Sequence, residues 1–318
     1  MLRRLGKSDL MVHPIGLGLW PIAGMTSLQV SEADSRATIE AALDCGLNFF
    51  DTAYCYGVDG ISERLLGQVA REHRDRMVIA TKGGVHWDAR LDRVNDASPQ
   101  RLEMELTESL RRLGLPAVDL LYLHSPDQVT PIAESAAAMA RFQAAGKARL
   151  IGVSNVNLSQ LQQFHKVCPV TVVQLKYNML QREIEQEIIP WCQQQGVSVV
   201  AYWPLMKGLL AGKLRRGHRF DPADKRVTYP MFLGRQWEWN QQFLDRLDLI
   251  AIDAGISLIT LVLGWTISQP GITAVLCGAK RPWQIQESAE AVHWTPSAAV
   301  LEQVNEAIRE RTAQERVV

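Results

Sequence analysis

The sequence predicts an α/β fold: a closed (β/α)8 TIM barrel, with an N-terminal β-hairpin closing its bottom and two extra helices at the C-terminus. Three observations carry this expectation. Short, continuously apolar runs recur along the chain, as strands covered on both faces do. Amphipathic helical patterns lie between them. The 318 residues suit one such barrel, read as a single domain over 1–318, with no internal repeat or low-complexity segment. An open, doubly wound sheet is the rival arrangement.

Taken in order, the hairpin comes first, in RRLGKSDLMV (3–12). The apolar runs are VHPIGLGLWP (12–21), GLNFFDT (46–52), MVIATK (77–82) and VDLLYLHSP (118–126), then RLIGVSN (149–155), TVVQLKYN (171–178), VSVVAYWPL (197–205) and ITAVLCGA (272–279). The first helix spans 31–44, with Ser31 as its cap, Ala33, Ala37 and Ala41 at helical spacing, and Gly46 as its stop. Ser98-Pro99 opens another, a cap followed by proline at the first helical position, which runs through Leu102, Leu106, Leu110 and Leu113 to Gly114. Further helices are expected near 131–145, 157–166, 184–195 and 257–269, and two follow residue 281. The stretch 206–240 reads as a long loop rich in Gly, Arg and Trp, of the kind that is usually functional in a compact domain.

Composition excludes several classes. The formal net charge is zero, which argues against nucleic acid or an anionic membrane surface as the main partner. MLRRLGKSDL is basic, but no apolar stretch follows, so no signal peptide is read there, and no run approaches a membrane span of about 20 residues. Cys45, Cys55, Cys168, Cys192 and Cys277 form no CxxC pair and point to a reducing, cytoplasmic setting. His86 and His218 have no ligand-like spacing, so no metal is expected.

In such a barrel the chemistry collects at the C-terminal ends of the strands. Those ends carry Asp51, with Tyr56 just beyond it, then Lys82, His124, Ser154-Asn155, Gln174 and Tyr202. A carboxylate at a strand end is costly to bury unless a cation meets it, and Lys82 stands one strand over. The same ammonium is expected to lower the Tyr56 pKa from about 10. Tyr56 could then give a proton to a carbonyl oxygen, with His124 as a second hydrogen-bond donor to that oxygen.

DTAYCYG with SERLLG, ATKGG, LLYLHSP, IGVSN, VVQLKYN, AYWPLMKGLLAGK and VLCGAKR together resemble the aldo-keto reductases, on the side of the bacterial reductases and potassium-channel β-subunits. The resemblance spans GLGLW to the last helices. It implies a catalytic tetrad of Asp51, Tyr56, Lys82 and His124, and NADP(H) lying extended across the barrel mouth. It implies Ser154, Asn155 and Gln174 on the nicotinamide carboxamide and Tyr202 stacked on the ring. Leu205, Lys207, Gly208 and Leu209 would line the pyrophosphate, in a cofactor wall that includes Trp20, Trp203 and Pro204. Gly278, Lys280, Arg281, Gln284 and Glu287 would surround the adenosine phosphate, and the adjacent cations favour NADP(H). Gln284 stands where the pattern often has arginine, and Ser288 where it has asparagine.

Blander roles compete for several of these residues. Gly16 and Gly18 lack the third glycine of a dinucleotide fingerprint, and close packing of the first strand suits them better. Asp51–Lys82 alone could be a register-fixing ion pair, but that leaves Tyr56 unexplained. Trp20 and Trp87 are candidates for the wall of a substrate pocket, and Trp237 and Trp239 for anchoring the long loop. The expected activity is NADPH-dependent reduction of aldehyde or ketone carbonyls. The rival functions are an NADP(H)-binding, redox-sensing regulatory subunit and, more remotely, a Schiff-base isomerase or lyase built on Lys82. The expected partner is a small carbonyl substrate, and oligomerisation is left open. Substrate choice is assigned to 20–28, 84–97, 126–130 and 206–240.

Overall fold

The computed structural model describes residues 1–25 and 30–315. A two-stranded antiparallel hairpin, β1 (Arg3–Arg4) and β2 (Met11–Val12), precedes the barrel. Eight parallel strands then close on themselves. They are β3 (Ile15–Gly18), β4 (Phe49–Asp51), β5 (Val78–Gly83), β8 (Val118–Leu123), β9 (Ala148–Ser154), β10 (Val172–Lys176), β11 (Ser198–Tyr202) and β12 (Ile272–Gly278). β12 pairs with β3, and β9 pairs with β10, so no edge is left open. A second hairpin, β6 (Val85–Trp87) with β7 (Arg93–Asn95), rises from the end of β5.

The helices are α1 (Glu32–Asp44), α2 (Ile61–His73), α3 (Pro99–Leu113), α4 (Ile132–Ala144) and α5 (Leu158–Val167), followed by α6 (Ile188–Gln195), α7 (Gly234–Asp253), α8 (Leu258–Ser268), α9 (Pro282–Ala289) and α10 (Ala298–Glu315). Those with chemical start signals fall close to expectation. Ser31 and Ser98 accept from the backbone N–H groups of Asp34 and Arg101, and Asn157 closes a capping box with Gln160. α6 starts later than 184 because the chain makes a 3-10 turn over Glu183–Glu185 first.

Two helices are additions to the expected set. α2 follows Gly60 in a left-handed conformation (φ 70°) and has no side-chain cap. α7 follows Leu233, again without a side-chain cap, and takes up the end of the segment expected to be loop. Trp237 on α7 packs against Phe232, while Trp239 faces Arg311 of α10. No single helix among the described residues is long and apolar enough to cross a membrane.

The core has two shells. The outer one lies between strands and helices; the inner one fills the barrel with Phe49, Val78, Ala80, Leu120, Tyr122, Val172 and Val200. Leu5, Leu10 and Val12 of the hairpin join that inner cluster, so the hairpin stoppers the bottom of the barrel. Alternation along each strand sets what reaches the top. On β5, Val78, Ala80 and Lys82 share the inner face, and on β4 so do Phe49 and Asp51.

Close packing explains two of the glycines. A Cβ on Gly16 would lie 2.9 Å from the Phe49 ring, in agreement with a packing role for the first strand's glycine. A Cβ on Gly152 would lie 2.5 Å from the Tyr122 ring and 2.8 Å from the Val172 carbonyl oxygen. Gly152→Ala is expected to cost about 1–3 kcal/mol, seen as a lower urea midpoint at unchanged slope.

Candidate active site

Parallel pairing brings the polar strand ends together. Asp51 ends β4, beside Ala80 of β5, and Lys82 lies two residues further along the same inner face. The Lys82 ammonium, 1% exposed, donates to Asp51 Oδ1, to the Thr52 carbonyl at 2.8 Å and to the Tyr56 phenol oxygen at 3.2 Å. These acceptors use all three of its protons. Gln174 Nε2, from β10, donates to Asp51 Oδ2 at 2.8 Å. The Tyr56 oxygen therefore accepts from the ammonium, and its own O–H is left to donate elsewhere.

His124 follows β8, held by its N–H to the Gly83 carbonyl at 2.8 Å. Its ring meets that of Tyr56 edge-on, with centroids 5.9 Å apart. Cys55 Sγ lies 3.7 Å from His124 Nδ1. Burial pushes the Cys55 thiol up to about 12, so it keeps its proton. With that proton donated to Nδ1, the imidazole carries its own proton on Nε2, free to face the cavity. Burial, then Lys82 and Arg93, hold His124 well below its ordinary range, so the ring is neutral at physiological pH.

The electrostatics correct one expectation. The Tyr56 pKa is raised well above its usual value, not lowered, because burial and then the Asp51 carboxylate disfavour a phenolate. The ammonium at 3.2 Å does not outweigh the loss of water. Asp51 is likewise pushed up by burial, against the pull of Lys82 and Gln174. The outcome is a neutral phenol beside a cation that would meet any negative charge formed on its oxygen.

This cluster opens into a cavity of about 620 Å³ across the C-terminal rim. Asp51, Tyr56, His124, Ser154, Asn155, Gln174 and Tyr202 line it near the cluster. Trp20, Trp203, Pro204, Leu205, Lys207, Gly208, Gly278, Lys280, Gln284 and Glu287 also line it, together with Ser288. Trp20 meets Tyr56 edge-on at 5.1 Å. The polar residues are bonded to one another. Tyr202 OH donates to Asn155 Oδ1, Asn155 Nδ2 to the His124 carbonyl, and Ser154 Oγ to the Gln174 carbonyl, each at 2.8 Å.

Three expected wall residues are not among those that line the cavity. The Leu209 side chain is wholly buried in the outer core. Arg281 is exposed and paired with Asp34 at 2.7 Å. Trp87 stands behind Tyr56, with its indole N–H bonded to the Cys55 carbonyl at 2.9 Å, and does not line the cavity. Of the segment 20–28, residues 26–28 lie outside the described residues.

The cavity also has lining residues that sequence alone did not single out: Arg93, Asn95, Lys213 and Arg226. Arg93 and Asn95 belong to β7, three exposed residues in a segment expected to be loop. Lys213 pairs with Glu287 at 3.1 Å, and Arg226 with Asp224 at 2.6 Å. Lys207 has a positive φ of 56° and lies over the Trp203 ring at 3.7 Å and the Tyr229 ring at 4.2 Å. Its buried ammonium makes no hydrogen bond among the described residues. Burial, then Arg93 and Arg226, pull it down to about 7. Among the described residues no group of His, Cys, Asp and Glu could hold a metal ion.

Such a barrel, with an acid–base cluster at its C-terminal rim opening into a cation-lined cavity, is the architecture of an enzyme that acts on a small ligand. The family model for the aldo/keto reductase family matches residues 14–309, and the chain belongs to that family. It is 34% identical to the aldo-keto reductase YhdN of Bacillus subtilis, covering 92% of this chain and 88% of that protein. It is 30% identical to an NADH-specific methylglyoxal reductase of Escherichia coli, over 91% of this chain and 92% of the relative. The solved glycerol dehydrogenase AKR11B4 of Gluconobacter oxydans superposes with a TM-score of 0.90 at 31% identity, covering 98% and 95% of the two chains. Family membership supports an oxidoreductase that uses a nicotinamide cofactor.

The cavity's donor set fits such a cofactor. Amides and a hydroxyl suit a carboxamide at one end, and Lys213, Arg226 and Lys280 suit phosphates at the other.

Proposed function

We propose that this protein reduces the carbonyl of an aldehyde or ketone to an alcohol, with Tyr56 as general acid and NADP(H) as cofactor. The observation that carries it is the Lys82 ammonium held between Asp51 and the Tyr56 oxygen, at the edge of the cavity and beside a neutral His124. The cofactor, when bound, supplies a hydride to the carbonyl carbon. The chain supplies the rest. Tyr56 gives its phenolic proton to the carbonyl oxygen, and Lys82 steadies the phenolate left behind. His124 Nε2–H donates to the same oxygen and stabilises the charge growing there. Asp51 fixes the ammonium, and Gln174 fixes Asp51. Tyr202 offers a flat face for a nicotinamide ring, and Ser154 and Asn155 its polar partners. No feature described above favours the regulatory-subunit reading. The Schiff-base reading fares worse, because every proton of Lys82 is already engaged.

Lys280 supports NADP(H) over NAD(H), since a 2′-phosphate needs a charge-assisted partner. Arg281 supports it less, being engaged by Asp34. In Lys280→Ala, the KM for NADPH is expected to rise about tenfold and that for NADH less than twofold, followed at the nicotinamide absorbance band. Equal changes for both would remove the preference from this residue. Unbridged cysteines, four of them buried, support a reducing, cytoplasmic location.

A further inference from the structure

The cavity wall holds a cation that neither the proton-transfer cluster nor the cofactor reading uses. Arg93 sits on β7, opposite Trp87 in the hairpin register. Cross-strand partners share a face of the ribbon, and Trp87 is tied to the Cys55 carbonyl, so the hairpin is held against the rim. The Arg93 guanidinium lies over the Trp20 ring at 5.1 Å. It is exposed, lines the cavity, and makes no hydrogen bond or ion pair among the described residues. Trp20 in turn meets Tyr56 at 5.1 Å, which places the guanidinium within about 10 Å of the phenol ring centre. The Lys207 ammonium also approaches the Trp20 ring, at 5.8 Å.

A guanidinium left unpaired in a protein this rich in ion pairs, at the mouth of a cleft, attracts and orients an anion. Lys207, over the Trp203 ring at 3.7 Å and pulled down to about 7, adds only part of a positive charge near neutral pH.

We propose that Arg93 determines substrate specificity, binding an oxyanion carried on the substrate a few bonds from the carbonyl that Tyr56 protonates. The substrate class is then a carboxylate- or phosphate-bearing aldehyde or ketone, and the carbonyl is presented to Tyr56 because its anionic end is held at Arg93. This rests on the carbonyl-reduction reading above. A phosphate of the cofactor is the other source of an oxyanion, and the test separates the two.

The test compares 4-carboxybenzaldehyde with its neutral methyl ester, and glyceraldehyde 3-phosphate with glyceraldehyde, in the wild type and in Arg93→Gln. In the wild type, kcat/KM is expected to favour each anionic partner by about tenfold or more, and added salt to shrink that ratio. In Arg93→Gln the ratio is expected to fall to near one, mainly through KM, with NADPH affinity from tryptophan fluorescence changed less than threefold. Lys207→Met should lower the ratio less. A ratio unchanged in Arg93→Gln overturns the proposal. So does a parallel loss on both members of a pair with weakened NADPH binding, which would give the guanidinium to the cofactor. Failure of the wild type to reduce even the neutral ester would instead overturn the carbonyl-reduction reading itself.

Discussion

Tyr56→Phe is expected to lower kcat by about 10²–10⁴. The substitution removes one oxygen, whose hydrogen bond from Lys82 is 3.2 Å long. The ring still packs between Trp20 and His124, so the cavity keeps its shape. Cofactor affinity, measured by tryptophan fluorescence, should therefore change less than about threefold, as expected when an interaction made only in the transition state is lost. Retention of most wild-type turnover would remove Tyr56 from the role of acid. His124 then becomes the candidate donor, and His124→Ala is the discriminating variant.

Lys82→Met is expected to be the most destabilising of the single substitutions. It strands the Asp51 carboxylate, 2% exposed, with Gln174 as its remaining side-chain donor among the described residues. Breaking a buried pair from one side costs about 3–5 kcal/mol. The cost should depend on pH with a definite sign. Burial already raises the Asp51 pKa, and removing the ammonium raises it further. A carboxyl raised in the folded state is ionised more easily in the unfolded one. The part of the deficit that comes from the Asp51 charge is therefore absent below the unfolded pKa of about 4, and grows as pH rises above it. Urea midpoints for Lys82→Met should fall further at pH 8 than at pH 5. The double variant Asp51→Asn/Lys82→Met should regain much of the loss, because no charge is left unpaired. Equal midpoints for single and double variants at both pH values would show that the two side chains do not stabilise each other.

The barrel strands were legible because burial on both faces writes a continuous apolar run, as in MVIATK and VDLLYL. Helices with chemical start signals, such as those at Ser31 and Ser98, were legible for the same local reason. α2 and α7 were not, and each begins without a side-chain cap to mark its start. Among the site residues, Asp51, Lys82 and His124 announce themselves as polar groups ending apolar strands. The β6–β7 hairpin does not, and with it went Arg93: its strands are three residues long and β7 is wholly exposed, too short to show a period. The sign of the Tyr56 shift was also out of reach, because it depends on how much water the folded rim excludes, which no spacing records.

The stopper at the base of the barrel ties early and late segments of the chain together in time. Arg3 donates to the carbonyls of Ile267 and Ile272, 264 and 269 residues downstream, and the Gly6 N–H reaches Ser198 Oγ. The hairpin, made before the strands it plugs, thus has no complete docking site until nearly the last barrel strand has been made. Contacts so distant along the chain slow folding, and nascent chains meanwhile expose strand edges.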